Sequence, residues 1–160
     1  MEIAVTGHTS GIGKCLYERL SPNIIGFSLS NGYDITLKSD RLRIIDAVEN
    51  CNIFVNNAPA GFAQTLLFLE LYEKWKNSDK TIINVGSRIA EIFTLPESHR
   101  HLLQYQAEKL ILKEMSLRVQ GKCKVKYKWF AYVGTEKILQ KYPNMTDYIT
   151  ENQAVDIILS

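Results

Sequence analysis

The chain lacks most of the residues that mark a special class of protein. Its three cysteines, Cys15, Cys51 and Cys123, are odd in number and widely spaced with no CxxC pair. That set excludes a disulfide framework or a thiolate zinc site and leaves packed thiols. Four prolines and nine glycines in 160 residues are too few for a collagen-like or low-complexity chain. The longest nearly apolar stretch, Phe62 to Tyr72, contains Gln64, Thr65 and Glu70 and falls well short of the ~20 residues that span a bilayer. The start, Glu2 followed by a strand-like run, lacks the basic segment and long hydrophobic region of a signal peptide, which predicts a cytoplasmic protein. Charge of one sign is lacking too. Nineteen Lys and Arg face 17 Asp and Glu for a net charge of +2, too even to predict a nucleic-acid or membrane binder.

What remains is an ordinary globular mixture, 46% hydrophobic and 22% charged. At roughly 100 to 200 residues per domain, this length predicts one domain over residues 1–160. Short β-rich runs alternate with amphipathic stretches, the sequence form of a parallel sheet with helices on both faces. The expected fold is therefore α/β, a doubly wound parallel sheet of about five main strands. Strands are expected at Ile3 to Thr6, Ile24 to Ser28, Asn52 to Asn56, Thr81 to Val85 and Val125 to Tyr132. Helices are expected near 12–20, 39–50, 62–77, 100–120 and 151–159. In the second helix, Ser39 is a candidate cap, and Leu42, Ile45 and Val48 recur at helical spacing, leaving a charged face for water. Too few residues separate the second strand from Tyr33 to Thr36 for a crossover helix, so that segment is either a loop along the sheet or a short edge strand. Lys122 to Trp129 alternates lysine with bulk, as in a strand with one wet face and a lysine row that discourages edge-to-edge pairing; Tyr127 and Trp129 point away from the lysines.

The first strand runs directly into TGHTSGIG, residues 6–13, with Gly7, Gly11 and Gly13 ahead of a helix. Glycines permit a tight turn and close approach to a pyrophosphate, and the helix N-terminus favours its charge. Further along come Asp34-Ile35, Asn56-Asn57-Ala58, Asn84-Val85-Gly86-Ser87, Tyr105-Gln106-Ala107-Glu108-Lys109 and Tyr132-Val133-Gly134-Thr135. In this order they resemble the TGxxxGIG, acidic-hydrophobic, NNAG, serine, YxxxK and PGxxxT segments of the short-chain dehydrogenase/reductase family. The resemblance implies a Rossmann fold and an NAD(P)-dependent oxidoreductase that interconverts a carbonyl and an alcohol. It implies catalytic roles for Ser87, Tyr105 and Lys109, with Tyr105 as general acid/base and Ser87 bonding the substrate oxygen. It also implies cofactor contacts from Gly7, Thr9, Ser10, Gly11, Ile12, Gly13, Ser28, Asp34, Ile35, Asn57, Ala58, Tyr105, Lys109 and Thr135.

The Tyr105–Lys109 spacing has its own physics, because residues i and i+4 project from one helical face. Lowering a phenol from ~10 to ~7 takes about 4 kcal/mol, and an ammonium ~5 Å away at an effective dielectric of ~20 supplies roughly 3 kcal/mol. At the end of the second strand, Ser28-Leu29-Ser30 lacks the acid that would repel a 2′-phosphate, which favours NADP(H) over NAD(H), with His8, Lys14, Lys38 or Arg41 as candidate phosphate partners. The chain departs from the family pattern in several places. Pro59 interrupts the NNAG segment, with Gly61 following. Eighteen positions separate Ser87 from Tyr105, predicting an extended flap over Arg88 to His101. The family's helical asparagine has no clear equivalent, although Gln64 lies in a plausible register. His99-Arg100-His101 is read as wet loop rather than metal site. The expected partners are a small carbonyl or alcohol substrate and a second copy of the chain, through helices 62–77 and 100–120. The alternative is a catalytically inactive NAD(P)-binding regulator or scaffold, favoured by Pro59 and the short region after the last strand.

Overall fold

Successive side chains of a strand buried on both faces serve two separate cores, and four short apolar strands do so here, with a fifth, lysine-rich strand at the edge. The computed structural model describes residues 2–160. Strands β1 (Ile3–Thr6), β2 (Ile24–Phe27), β3 (Ile53–Asn56), β4 (Thr81–Val85) and β5 (Lys124–Lys128) form one parallel sheet in the order β2-β1-β3-β4-β5. Its helices are α1 (Gly11–Leu20), α2 (Lys38–Ala47), α3 (Ala63–Trp75), α4 (Leu103–Arg118), α5 (Glu136–Lys141) and α6 (Glu151–Leu159). Ala4, Phe54 and Ile82 point to one face and meet Ile44 of α2, Leu67, Phe68 and Leu71 of α3, and Leu112 of α4. Ile3, Val5, Val55 and Ile83 point to the other and meet Leu16 of α1 and Ala154, Val155 and Ile158 of α6. Phe54, Phe68 and Leu71 are fully buried, each contributing roughly 2–3 kcal/mol relative to exposure. The chain is thus a doubly wound α/β sheet of the Rossmann type. Among the described residues no helix is long and apolar enough to cross a membrane.

Several local expectations shift. Helix α2 begins at Lys38 after Leu37, with no cap from Ser39, and ends at Ala47. Its buried face is Arg41, Ile44, Ile45 and Val48, whereas Leu42 is 46% exposed. The helix is rotated because Arg41, only 5% exposed, turns inward: it grips Glu70 of α3 with two hydrogen bonds of 2.8 and 3.1 Å and donates to the Ile35 and Thr36 carbonyls. Residues 33–36 accordingly form a loop, with Ile35 buried in the core. Strand β5 stops at Lys128 rather than Tyr132, because the chain turns where the Arg88 amide bonds the Phe130 carbonyl. The alternation breaks there: Trp129 faces solvent and Phe130 takes the buried place. Part of the expected flap is folded, since residues Arg88–Glu91 and Glu97–Leu102 make 3-10 turns. Helix α5, capped by Thr135, was not expected.

Candidate active site

The strand order reverses beside β1, with β2 on one side and β3 on the other, and open α/β sheets bind ligands at the carboxyl ends of their strands at such a switch point. Gly7 and Gly11 have φ of +75° and +52°, a left-handed geometry that favours glycine. A Cβ at Gly13 would collide with the Gly7 carbonyl, so the turn lies directly on the first turn of α1. That helix end has no side-chain cap from Ser10 and no acid in its first turn, leaving its N–H groups and positive dipole end to the cleft. The turn is stitched to the end of β3 through Thr6. Its hydroxyl accepts from the Asn57 and Ala58 amides at 3.0 Å each, and its carbonyl accepts from Asn57 Nδ2 at 3.0 Å.

A cleft of about 710 Å³ opens above this seam. Of the residues singled out in the sequence, Gly7, Thr9, Ser10, Gly11, Ile12, Asn57, Ala58, Tyr105, Lys109 and Thr135 line it, and Gly13 supports it from behind. Thr135 leans over Gly11. Ser28, Asp34, Ile35 and Ser87 do not line it. Ser28 bonds Ser30 and Asn31 in a 3-10 turn after β2, the Asp34 carboxylate accepts from the Thr36 amide and hydroxyl, and Ile35 is core. Among the candidate phosphate partners, Lys14 lines the cleft and Arg41 is committed to Glu70. Glu136 and Glu151 also line it, acids that no sequence pattern had marked.

At the other end of the cleft, α4 brings Tyr105 and Lys109 to the end of β4, where the Ser87 hydroxyl lies near the Tyr105 phenol and accepts from the Ile89 amide. Burial pushes the Tyr105 phenol above its ordinary value, the nearby Ser87 hydroxyl pulls it down, and Glu108 adds to the rise. Lys109 Nζ sits 5.6 Å from the Tyr105 ring centre, yet its ammonium is aimed elsewhere. It donates to Gln64 Oε1 at 2.6 Å and lies 3.5 Å from the Val85 carbonyl. Burial pulls Lys109 down to about 8, opposed by Glu108. The register of α3 marks Gln64 as lying near this point, and nothing in the sequence says that its amide reaches the lysine directly.

Tyr127 was missed as a neighbour of this site. Its hydroxyl is tucked against Gly86, where a Cβ would collide with it, and closes no hydrogen bond of good geometry although the Ser87 amide is nearby. Burial pushes its phenol up to about 12. The alternation of β5 had placed Tyr127 inward; only the sheet register, Asn84 opposite Tyr127, brings it beneath Ser87. His99 and His101 stack on each other, and no cluster of three metal-binding side chains occurs among the described residues.

No protein-family model matches the chain, and no curated protein matches it. Solved structures do. A short-chain dehydrogenase from Burkholderia cenocepacia J2315 in complex with NADP superimposes with a TM-score of 0.77 at 18% identity, over 99% of this chain and 84% of that one. A short-chain dehydrogenase from Sphingobium yanoikuyae in complex with NADPH gives 0.73 at 16% identity, over 99% and 83%. A 4-hydroxyisoleucine dehydrogenase complexed with NADH gives 0.75 at 14%, over 99% and 90%. The glycine turn, the reversed strand order and the superposition together identify the fold of this chain as that of the short-chain dehydrogenases/reductases.

Proposed function

We propose that the protein is a short-chain dehydrogenase/reductase, an NAD(P)-dependent oxidoreductase that interconverts a carbonyl and an alcohol. The observation that carries this reading is that Tyr105 and Lys109 line one end of a cleft, with Ser87 next to Tyr105 behind Gly86, and that the other end is a glycine turn on an uncapped helix. The cleft fits a dinucleotide on its own chemistry: free N–H groups at α1 suit a pyrophosphate, a turn packed too closely for a Cβ admits it, and Lys109 offers an ammonium for ribose hydroxyls. The nicotinamide supplies or accepts the hydride.

The residues of the chain do the rest. Ser87 bonds the substrate oxygen where negative charge develops. Tyr105 keeps its proton at neutral pH and is the proton donor of the proposal. Burial raises its phenol rather than lowering it as the spacing with Lys109 predicts, so efficient transfer needs the positive charge of the cofactor beside it to bring the phenol down. NADP(H) is favoured over NAD(H), since Ser28-Leu29-Ser30 presents no acid and Lys14 faces the cleft. A homodimer is part of the proposal, supported by the exposed Leu66 of α3 and Leu110, Ile111 and Leu117 of α4. The test is turnover of NADPH and NADH against a panel of carbonyl compounds. Ser87→Ala should lower turnover by about 10²–10³ with cofactor affinity kept; an unchanged rate removes Ser87 from the mechanism.

One observation favours a second reading, a cofactor-binding regulator without turnover: the Lys109 ammonium is tied to Gln64, and Pro59 stands in the cleft wall. Tight cofactor binding with no turnover across the whole panel would select it.

A further inference from the structure

Lys109 and Gln64 are among the most buried polar side chains of the protein, 4% and 2% exposed. The orientation of the Gln64 amide is fixed by its surroundings. Its Nε2 donates to the Asn56 carbonyl at 2.8 Å and the Val85 carbonyl at 3.0 Å, so only Oε1 can face Lys109. Asn56 returns a bond to the Gln64 carbonyl at 2.9 Å and another to Asn84 Oδ1 at 2.9 Å, and Asn84 in turn donates to Ser116 of α4. Three elements thus hold one neutral acceptor against one buried ammonium.

We infer that Gln64 is a positioning residue that grips Lys109 directly and, being uncharged, leaves this buried ammonium without a compensating charge, which makes the cofactor end of the cleft pH-sensitive. The cofactor part of this inference rests on the function proposed above. A neutral amide stabilises the ammonium by one hydrogen bond, whereas a carboxylate in its place would add full opposite charge. The groups around the pair agree. Lys109 is pulled down to about 8 by burial, opposed among the described residues by the Glu108 carboxylate. On the elements packed against α4, Glu70 is held by Arg41, Glu91 by Lys113 and Glu97 by Arg100, while Lys126 and Lys128 reach Ser160. Tyr105 and Tyr127 are both pushed up and stay neutral across the relevant range.

The experiment follows the lysine side chains of isotope-labelled protein by NMR across about pH 6 to 11, with Lys109→Arg identifying the resonance. One lysine is expected to titrate at about 8. Gln64→Glu should raise that midpoint by more than about one unit, and Gln64→Met should lower it. Lys109 titrating with the ordinary lysines, or unmoved in Gln64→Glu, overturns the inference. If Gln64→Glu does not fold, an unmoved midpoint in Gln64→Met overturns it equally. Titration with NADPH over the same range separates the two claims: affinity should fall above about pH 8 and the fall should move upward in Gln64→Glu. No binding at any pH overturns the proposed function and leaves the lysine result standing.

Discussion

Replacing Lys109 with methionine should remove a pH dependence of stability that the native chain carries. Folding takes this ammonium from an ordinary 10.5 to about 8. Between those values the unfolded chain holds a proton that the folded chain has released, so native stability rises with pH across that window. Below about pH 8 both states are protonated and the full penalty is present, about 3 kcal/mol at about 1.4 kcal/mol per unit. Methionine keeps the volume and discards the charge, but strands Gln64 Oε1 at a cost of about 1–3 kcal/mol. The two effects nearly cancel at neutral pH, so the absolute change there is small. The informative quantity is the stability difference between the proteins as pH rises from about 7 to about 9.5, over which the lysine penalty shrinks by about 2 kcal/mol. Urea unfolding at several pH values measures it, and tyrosine titrations common to both proteins cancel. A difference that stays constant within about 0.5 kcal/mol refutes the claim that this lysine is held charged against its surroundings.

Other perturbations test other parts of the account. Gly13→Ala drives a Cβ into the Gly7 carbonyl; it should cost about 1–3 kcal/mol and lower cofactor affinity more than about tenfold, whereas native affinity would show that the turn tolerates being opened. Arg41→Met abandons Glu70 and the Ile35 and Thr36 carbonyls together, for an expected loss of about 3 kcal/mol in urea unfolding; a loss under about 1 kcal/mol contradicts it. Paired calorimetric titrations should give tighter binding of NADPH than NADH, and the reverse order would overturn the cofactor preference.

The parts of the site legible in the sequence were those set by local geometry. TGHTSGIG between a strand and a helix foretells the glycine turn because the backbone there has few alternatives, and Tyr105 and Lys109 share a face of α4 because i and i+4 always do. The parts that were not legible depend on tertiary choices. Nothing local says that Arg41 will turn inward and rotate α2, since an arginine on a charged helix face reads as wet; its partner Glu70 lies 29 residues away on another helix. The aim of the Lys109 ammonium was equally hidden. An electrostatic argument from spacing alone directs it toward Tyr105, but the carbonyls at the ends of β3 and β4 orient the Gln64 amide and draw the ammonium to it. The turns that engage the Ser28 and Asp34 side chains after β2 were hidden too, because each depends on where the chain bends after the strand.

The central claim is that Tyr105 hands its proton to a substrate oxygen beside a bound nicotinamide. Its most direct test compares the wild-type protein with Tyr105→Phe, following consumption of NADPH with a carbonyl substrate alongside NADPH affinity. The account predicts turnover by the wild type, and in the variant a loss of at least about 10²-fold with affinity preserved. Equal turnover by the two proteins would contradict it.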